Sequence, residues 1–469
     1  MTELMWLALK AFLACLILTP IFRDIFRAYN VVDKPDLGRK VHVYPIPRVG
    51  GIPIALAYAI ALFPFSSGGS LPWNGTASLA WRLGPAAFLV FATGLIDDLF
   101  GLKPWQKLLG QLGAAGLAYW AGVSIISLFG YDAQTWWSLP LTILWLLVCT
   151  NAFNLVDGLD GLAAGMALVA SLTLFAAALI YHDQPLAMAT FPLAGALLGF
   201  LCYNFNPATV FLGDSGALLI GFLLGCFGLV WSQKSATLLG ITVPLLALSV
   251  PLLDVSLAVL RRFLRNQPIF SADRGHIHHR LLDRGLTPRN AVLVLYLLAG
   301  LAAAFALLVT LPYGGRYRGI VILVFCALAW IGIRQLKYAE FEVARQFLFG
   351  GEMLRTLGGR LRLRRFSQEL RAVRSEDDCF QAIENAARDF GFASVELRLH
   401  GRIWRQTMSD VDSPQCWSLT VPLGEKDSVT LWRSFDSEVL SMMVSAFVDA
   451  IRQDLRTKLQ EMDSVAANG

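Results

Sequence analysis

Charge is what this sequence has least of. Only 16% of its 469 residues are Asp, Glu, Lys or Arg, where a soluble globular chain carries about 25%. The shortage is local. Residues 1–336 hold 35 charges and residues 337–469 hold 38, so the long first part reads as membrane and the short second part as soluble protein. A single soluble enzyme domain, a secreted disulfide scaffold and a disordered chain are excluded. The seven cysteines (15, 149, 202, 226, 326, 379, 416) form no CxxC and no regular spacing. Five lie in apolar runs and read as small buried residues. No basic region precedes the first apolar run and no small-residue cleavage site follows it, so a retained helix is expected there. The net charge of +5 is small and spread out, which gives no nucleic-acid signal. No internal repeat or low-complexity tract stands out.

What is there in abundance is apolar sequence. A bilayer core needs roughly 17–25 apolar residues per helix. Candidate spans are 4–22, 50–66, 80–97, 108–126, 139–156, 162–181, 185–203, 213–231, 236–253, 291–311 and 319–336. The fold class expected is therefore an all-α polytopic membrane protein of about eleven transmembrane helices, with a small C-terminal cytoplasmic α+β domain. Loops 23–49, 98–107 and 254–290, with Arg334, carry 16 Lys/Arg against 4 on the other side. By the positive-inside rule they face the cytoplasm, with the N-terminus outside and the C-terminus inside.

The ionisable residues of this part gather in four clusters, and such residues near lipid are functional candidates by default. Asp97 and Asp98 close an apolar helix; like charges this close need a compensating cation or a shared proton, unless water simply solvates the helix end. Asn151, Asn154, Asp157 and Asp160 interleave with Gly158, Gly161 and Gly165. If this stretch is helical, Asn154 shares a face with Asp157, and Asp157 with Asp160. Asp214, just before an apolar run, reads either as a helix cap or as a hard oxygen ligand for Mg²⁺. Asp254 precedes Arg261, Arg262 and Arg265, then Asp273, Arg274, His276, His278, His279 and Arg280. Three of the chain's six histidines fall in that tetrad. They form a compact cationic donor set suited to diphosphate; His276 and His279 share a helical face and His278 points elsewhere. Acids that hold a cation, a polar pocket and cationic donors together outline phosphoryl transfer. An ion-coupled transporter is the alternative, but its acids would favour the midplane and show inverted repeats.

In this order the clusters resemble those of the polyprenyl-phosphate N-acetylhexosamine-1-phosphate transferases, over about residues 1–336. The shared motifs are Arg39-Lys40-Val-His42 with Pro45, Pro47 and Gly50-Gly51; Asp97-Asp98; Asn151 through Gly165; Phe211-Leu-Gly213-Asp214-Ser-Gly216; and Asp273 through Leu281. The resemblance implies transfer of a sugar 1-phosphate from a UDP-N-acetylhexosamine to a polyprenyl phosphate in the membrane, with release of UMP. It implies Mg²⁺, with Mn²⁺ as a substitute, held by Asp214, and Asp97 and Asp98 beside the attacking phosphate. Lys40, Asn151, Asn154, Asp157, Asp160, His276, His278, His279 and Arg280 would contact substrate. The His-Ile-His-His form is closer to the N-acetylglucosamine branch. Direct displacement is favoured, because the acceptor phosphate is already largely dianionic at neutral pH; a phospho-aspartate route stays open, as does self-association into a homodimer.

Residues 337–375 read as a basic juxtamembrane helical linker with Arg355, Arg360, Arg362, Arg364 and Arg365, suited to anionic lipid or simply solvated. Residues 376–390 and 436–460 carry helical periodicity; 395–399, 417–421 and 428–432 alternate as strands. Their order, over residues 376–469, loosely resembles GAF-type sensory domains, and a regulatory or partner-binding role is expected.

Overall fold

A computed structural model of the chain describes residues 1–32, 45–63, 78–128, 131–132, 135–234, 240–264, 275–311, 317–335, 362–370, 373, 375–408, 416–424, 427–434, 441–455 and 457–459. It divides into two compact units, Met1–Tyr338 and Ala339–Gly469.

The first unit is helical: α1 Thr2–Ala28, α2 Gly51–Leu62, α3 Ser78–Phe100, α4 Pro104–Trp120, α5 Thr135–Val156, α6 Leu162–Ile180, α7 Gln184–Asn204, α8 Gly213–Lys234, α9 Thr242–Ala247, α10 Ser249–Leu264, α11 Ile277–Asp283, α12 Pro288–Thr310 and α13 Arg318–Gln335. Among the described residues eight helices are long and apolar enough to cross a membrane: α1, α3, α5, α6, α7, α8, α12 and α13. The other three expected spans are shorter or broken. α2 has 12 residues and α4 has 17. The run expected at 236–253 is interrupted at Leu248 between α9 and α10. α10 then continues to Leu264, so Asp254, Arg261 and Arg262 lie on a helix and not in the loop expected from 254 onward.

α8 is the centre of the unit. In its apolar window 89% of residues are buried, against 22% for α1 and none for α13. α3, α5 and α2 pack on α8, and α1 packs on α7. Small residues set these distances. A Cβ at Gly94 of α3 would lie 2.6 Å from the Asp214 carbonyl, so α3 meets the first turn of α8 backbone to backbone. The segment before α2 joins the same place. Phe211 donates its N–H to the Pro47 carbonyl at 2.9 Å, and Gly50 and Gly51 donate to Phe211 and Leu212, each at 3.0 Å.

The first unit also holds a two-residue antiparallel pair, β1 Ser127–Leu128 and β2 Tyr131–Asp132; in the second unit four antiparallel strands, β3 Ser394–Leu399, β4 Arg402–Thr407, β5 Cys416–Pro422 and β6 Ser428–Ser434, stand in the order β4-β3-β6-β5. Val395, Leu397, Leu399, Val429 and Leu431 face a core shared with Ile383 and Ala387 of the helix Glu376–Asp389 and Phe447 of the helix Ser441–Ala450. Ser375 caps the first of these helices by accepting the Asp378 N–H at 3.2 Å. β4 is an addition to the three strands expected. It is an edge strand, exposed along nearly its whole length, and so shows no alternation to read.

Candidate functional site

The approach of α3 to α8 brings Asp97 and Asp98, one turn beyond Gly94, to the α8 N-terminus. Asp98 spends both oxygens there. Oδ1 accepts the Asp214 N–H at 2.8 Å and Oδ2 the Ser215 N–H at 2.9 Å. The cap of α8 is therefore Asp98, from another helix, and not Asp214. Gly213 precedes this turn with φ +73°, and a Cβ on it would sit 2.7 Å from Asp98 Oδ2; glycine alone suits both conditions.

Asp97 turns the other way. Its Oδ1 accepts the Leu102 N–H at 2.6 Å and its Oδ2 pairs with Lys107 Nζ at 2.6 Å. The same ammonium contacts Asp214 Oδ2, while Asp214 Oδ1 accepts from Asn154 Nδ2 at 2.7 Å. Four helices thus contribute to one spot: α3, α4, α5 and α8. The compensation that the adjacent acids require is divided, Lys107 answering Asp97 and the positive end of α8 answering Asp98. The Asp214 side chain stays 30% exposed, open to an arriving ligand.

Residues 157–161 form a turn after α5 ends at Val156, so Asp157 and Asp160 do not share a helical face as expected. Asp157 is half-buried. Burial first, then the nearby Asp214 and Asp98 charges, push its carboxyl up to about 8. Asp160 accepts from Asn206 Nδ2 at 3.1 Å and the Ala208 N–H at 3.0 Å, and Asn204 accepts the Gly161 N–H at 3.1 Å. These contacts tie the turn to the segment that leads into α8. Asn151 points away from the acids, donating to Gln111 Oε1 of α4 at 2.7 Å.

Of the histidines, His278 comes to the turn and His276 to Asp254. Asp254 of α10 accepts the Ile277 N–H at 2.8 Å and pairs with His276 Nδ1 at 3.1 Å. His276 precedes α11 in an extended conformation, so it does not share a helical face with His279. It lies parallel to His278, with ring centroids 5.6 Å apart. His278 is buried, with Nε2 against Gly158, and no hydrogen bond reaches that atom. Burial, and after it the neighbouring His279, lowers its pKa to about 4. It is neutral at pH 7, which corrects the expectation of three cationic histidines. His279 packs on the His278 ring at 4.3 Å, and it and Arg280 are half-buried. Lys40, with Arg39 and His42, lies outside the described residues, as do Arg265, Asp273 and Arg274.

Lys107, Gln111 and Arg48 were not singled out by sequence. Lys107 does carry a signal, because an ammonium in the first turns of a helix opposes its dipole and needs an acidic partner. Arg48 pairs alongside Phe211, and its charge opposes the upward push on Asp157. Asp97 and Asp214 also pass a chemical test for a divalent cation. Both aim an oxygen at one position already taken by positive charge, and Mg²⁺ needs only one or two carboxylates when phosphate and water complete its shell. Among the described residues no group of three or more His, Cys, Asp or Glu converges on a metal position, so an all-protein cage is not what this donor set fits.

Residues 81–232, which run from the first turn of α3 to the last turn of α8 and hold most of this site, match the family described as Glycosyl transferase family 4. The chain is 36% identical over 292 residues to the probable undecaprenyl-phosphate N-acetylglucosaminyl 1-phosphate transferase of Bacillus subtilis (strain 168), covering 61% of this chain and 79% of that protein. It is 36% identical over 321 residues to the decaprenyl-phosphate N-acetylglucosaminephosphotransferase of Mycobacterium leprae (strain TN), covering 61% and 78%. With the undecaprenyl-phosphate alpha-N-acetylglucosaminyl 1-phosphate transferase of Escherichia coli (strain K12) it shares 29% over 298 residues, covering 61% and 78%. These relatives do not favour the transporter alternative. Similarity of this extent, reaching proteins whose names state the chemistry that the motif order implies, means that this chain belongs to the polyprenyl-phosphate N-acetylhexosamine-1-phosphate transferase family.

Proposed function

We propose that the protein transfers N-acetylglucosamine 1-phosphate from UDP-N-acetylglucosamine to undecaprenyl phosphate, releasing UMP, as the initiating step of a cell-surface polysaccharide. The observation that carries this reading is the meeting of Asp97, Lys107, Asp214 and Asn154 at adjoining helix ends. There a water-borne nucleotide sugar and a lipid phosphate can meet. The bacterial relatives named for this acceptor and sugar support it.

Asp214 and Asp97 would hold Mg²⁺, which Mn²⁺ can replace; the ion would offset the negative charge that develops on the leaving phosphate. Asn154 orients Asp214, and Asp98 holds the first turn of α8 in place beneath it. Asp157 and the backbone of the 157–161 turn offer hydrogen-bonding groups to the polar half of the nucleotide sugar. The acceptor phosphate, largely dianionic at neutral pH, attacks directly. Asp98 supports this over a covalent route, since both of its oxygens already accept backbone N–H groups. The excess of basic residues on one set of loops supports a site that faces the cytoplasm, in the bacterial inner membrane, with residues 376–469 inside as a regulatory domain.

The test is UMP release by the purified full-length protein with undecaprenyl phosphate and a panel of UDP-N-acetylhexosamines. Turnover is expected with UDP-N-acetylglucosamine, and chelation should abolish it until Mg²⁺ is returned. Turnover confined to another sugar would overturn the donor, and turnover indifferent to chelation would overturn the metal.

A further inference from the structure

We infer that Lys107 is a resident counter-ion at the metal position, displaced when a divalent cation binds, so that metal binding is coupled to the arrival of the donor's diphosphate. This rests on the functional reading above. Of the three acids at the α3–α8 contact, Asp98 is neutralised by the α8 N-terminus, since its two oxygens take the Asp214 and Ser215 N–H groups. That leaves Asp97 and Asp214, and one ammonium serves both: Lys107 Nζ stands 2.6 Å from Asp97 Oδ2 and contacts Asp214 Oδ2. A divalent ion bound by those oxygens would need the same place, and two cations do not share it.

The lysine can leave without moving its helix. Its stem is a flexible four-carbon chain. α4 itself is held to α5 independently, by the Gln111–Asn151 amide pair, and its first turn is closed by Gln106 accepting the Lys103 N–H at 2.9 Å. Once displaced, the ammonium stands beside a dication until an anion joins them. A diphosphate is that anion, touching metal and ammonium at once. Metal alone is therefore held weakly, metal with diphosphate tightly, and by linkage each raises the affinity of the other by the same factor. In the empty site the lysine keeps the two acids together.

The experiment follows free Mn²⁺ by its paramagnetic resonance signal as it is titrated into the full-length protein in detergent, without acceptor lipid. In the wild type, UDP-N-acetylglucosamine should tighten Mn²⁺ binding about tenfold or more. Lys107→Met, which keeps the stem and removes the charge, should tighten Mn²⁺ by about that factor without nucleotide and lose most of the coupling. Lys107→Arg, which keeps the charge, should behave as wild type, and melting temperatures verify that each variant is folded. If Lys107→Met binds Mn²⁺ no tighter than wild type, or if the nucleotide effect survives in it unchanged, the exchange does not occur. Asp214→Asn separates the two readings. Loss of Mn²⁺ binding there, beside an unresponsive Lys107→Met, overturns the lysine exchange alone. Mn²⁺ binding that Asp214→Asn leaves untouched removes the metal position, and with it the exchange.

Discussion

Asp214 and Asp98 touch each other through one turn of backbone, yet substitution should separate them. Asp214→Asn keeps the size of the side chain and removes its charge. UMP release should fall on the order of a hundred- to thousandfold, the usual size of a lost electrostatic contact at developing charge; near-normal turnover would remove Asp214 from the reaction. Asp98→Ala deletes the acceptor of two α8 N–H groups and should cost about 1–2 kcal/mol of stability, visible as a lower melting temperature. A variant that melts like wild type would show that α8 needs no cap from α3. His278 makes a third prediction. With its folded pKa near 4 and its ordinary value 6.5, the folded chain binds fewer protons than the unfolded chain between those values. Stability is therefore intact above pH 6.5 and is lost as pH falls through the window, by on the order of 3 kcal/mol. Melting of wild type against His278→Gln from pH 7 to pH 4 tests this; parallel curves would refute it. The candidate residues were legible because charge is so scarce in residues 1–336 that each acid at a span end stands out. Their division of labour was not. Lys107 reads as one more positive-inside charge until α4 is laid beside α8, and Asp254 reads as a loop acid until α11 is seen to begin on it.

Helix contacts explain the same limit one level up. The long apolar runs could be read directly as α1, α3, α5, α6, α7, α8, α12 and α13, since length and hydropathy are local properties. The break between α9 and α10, the extension of α10 to Leu264 and the exposed edge strand β4 depend on neighbours, and local pattern carries no trace of them. Glycine use within α3 illustrates the point. Gly84 and Gly94 look alike in sequence, but a Cβ at Gly84 meets nothing within 4 Å whereas one at Gly94 lies 2.6 Å from the Asp214 carbonyl. Gly84→Ala should leave melting unchanged or raise it by up to about 1 kcal/mol equivalent, the helix-propensity gain. Gly94→Ala should lower stability by about 1–3 kcal/mol through overpacking and reduce turnover by shifting Asp97 and Asp98. Equal behaviour of the two variants would mean that α3 does not rest on α8 there.

For the whole molecule, the two compact units and the confinement of every site residue to the first lead to a simple expectation. A chain ending near residue 340 should still release UMP, and a well-folded truncation without turnover would place residues 341–469 in the chemistry. A reporter that works only in the cytoplasm should be active when fused after Gly469, given the basic loops; activity of a periplasm-only reporter would invert the arrangement. The capping of α8 by Asp98 also has a consequence in time. The two partners lie 116 residues apart, and at about 5–20 residues per second a ribosome takes roughly 6–23 s to make that stretch. Throughout that interval Asp98 is at the edge of the bilayer with its intended amides not yet translated. A nascent chain arrested before α8 should therefore leave Asp98 as reactive toward a water-soluble carbodiimide as any surface acid. Release of the arrest should protect it within the time needed to translate and insert one helix.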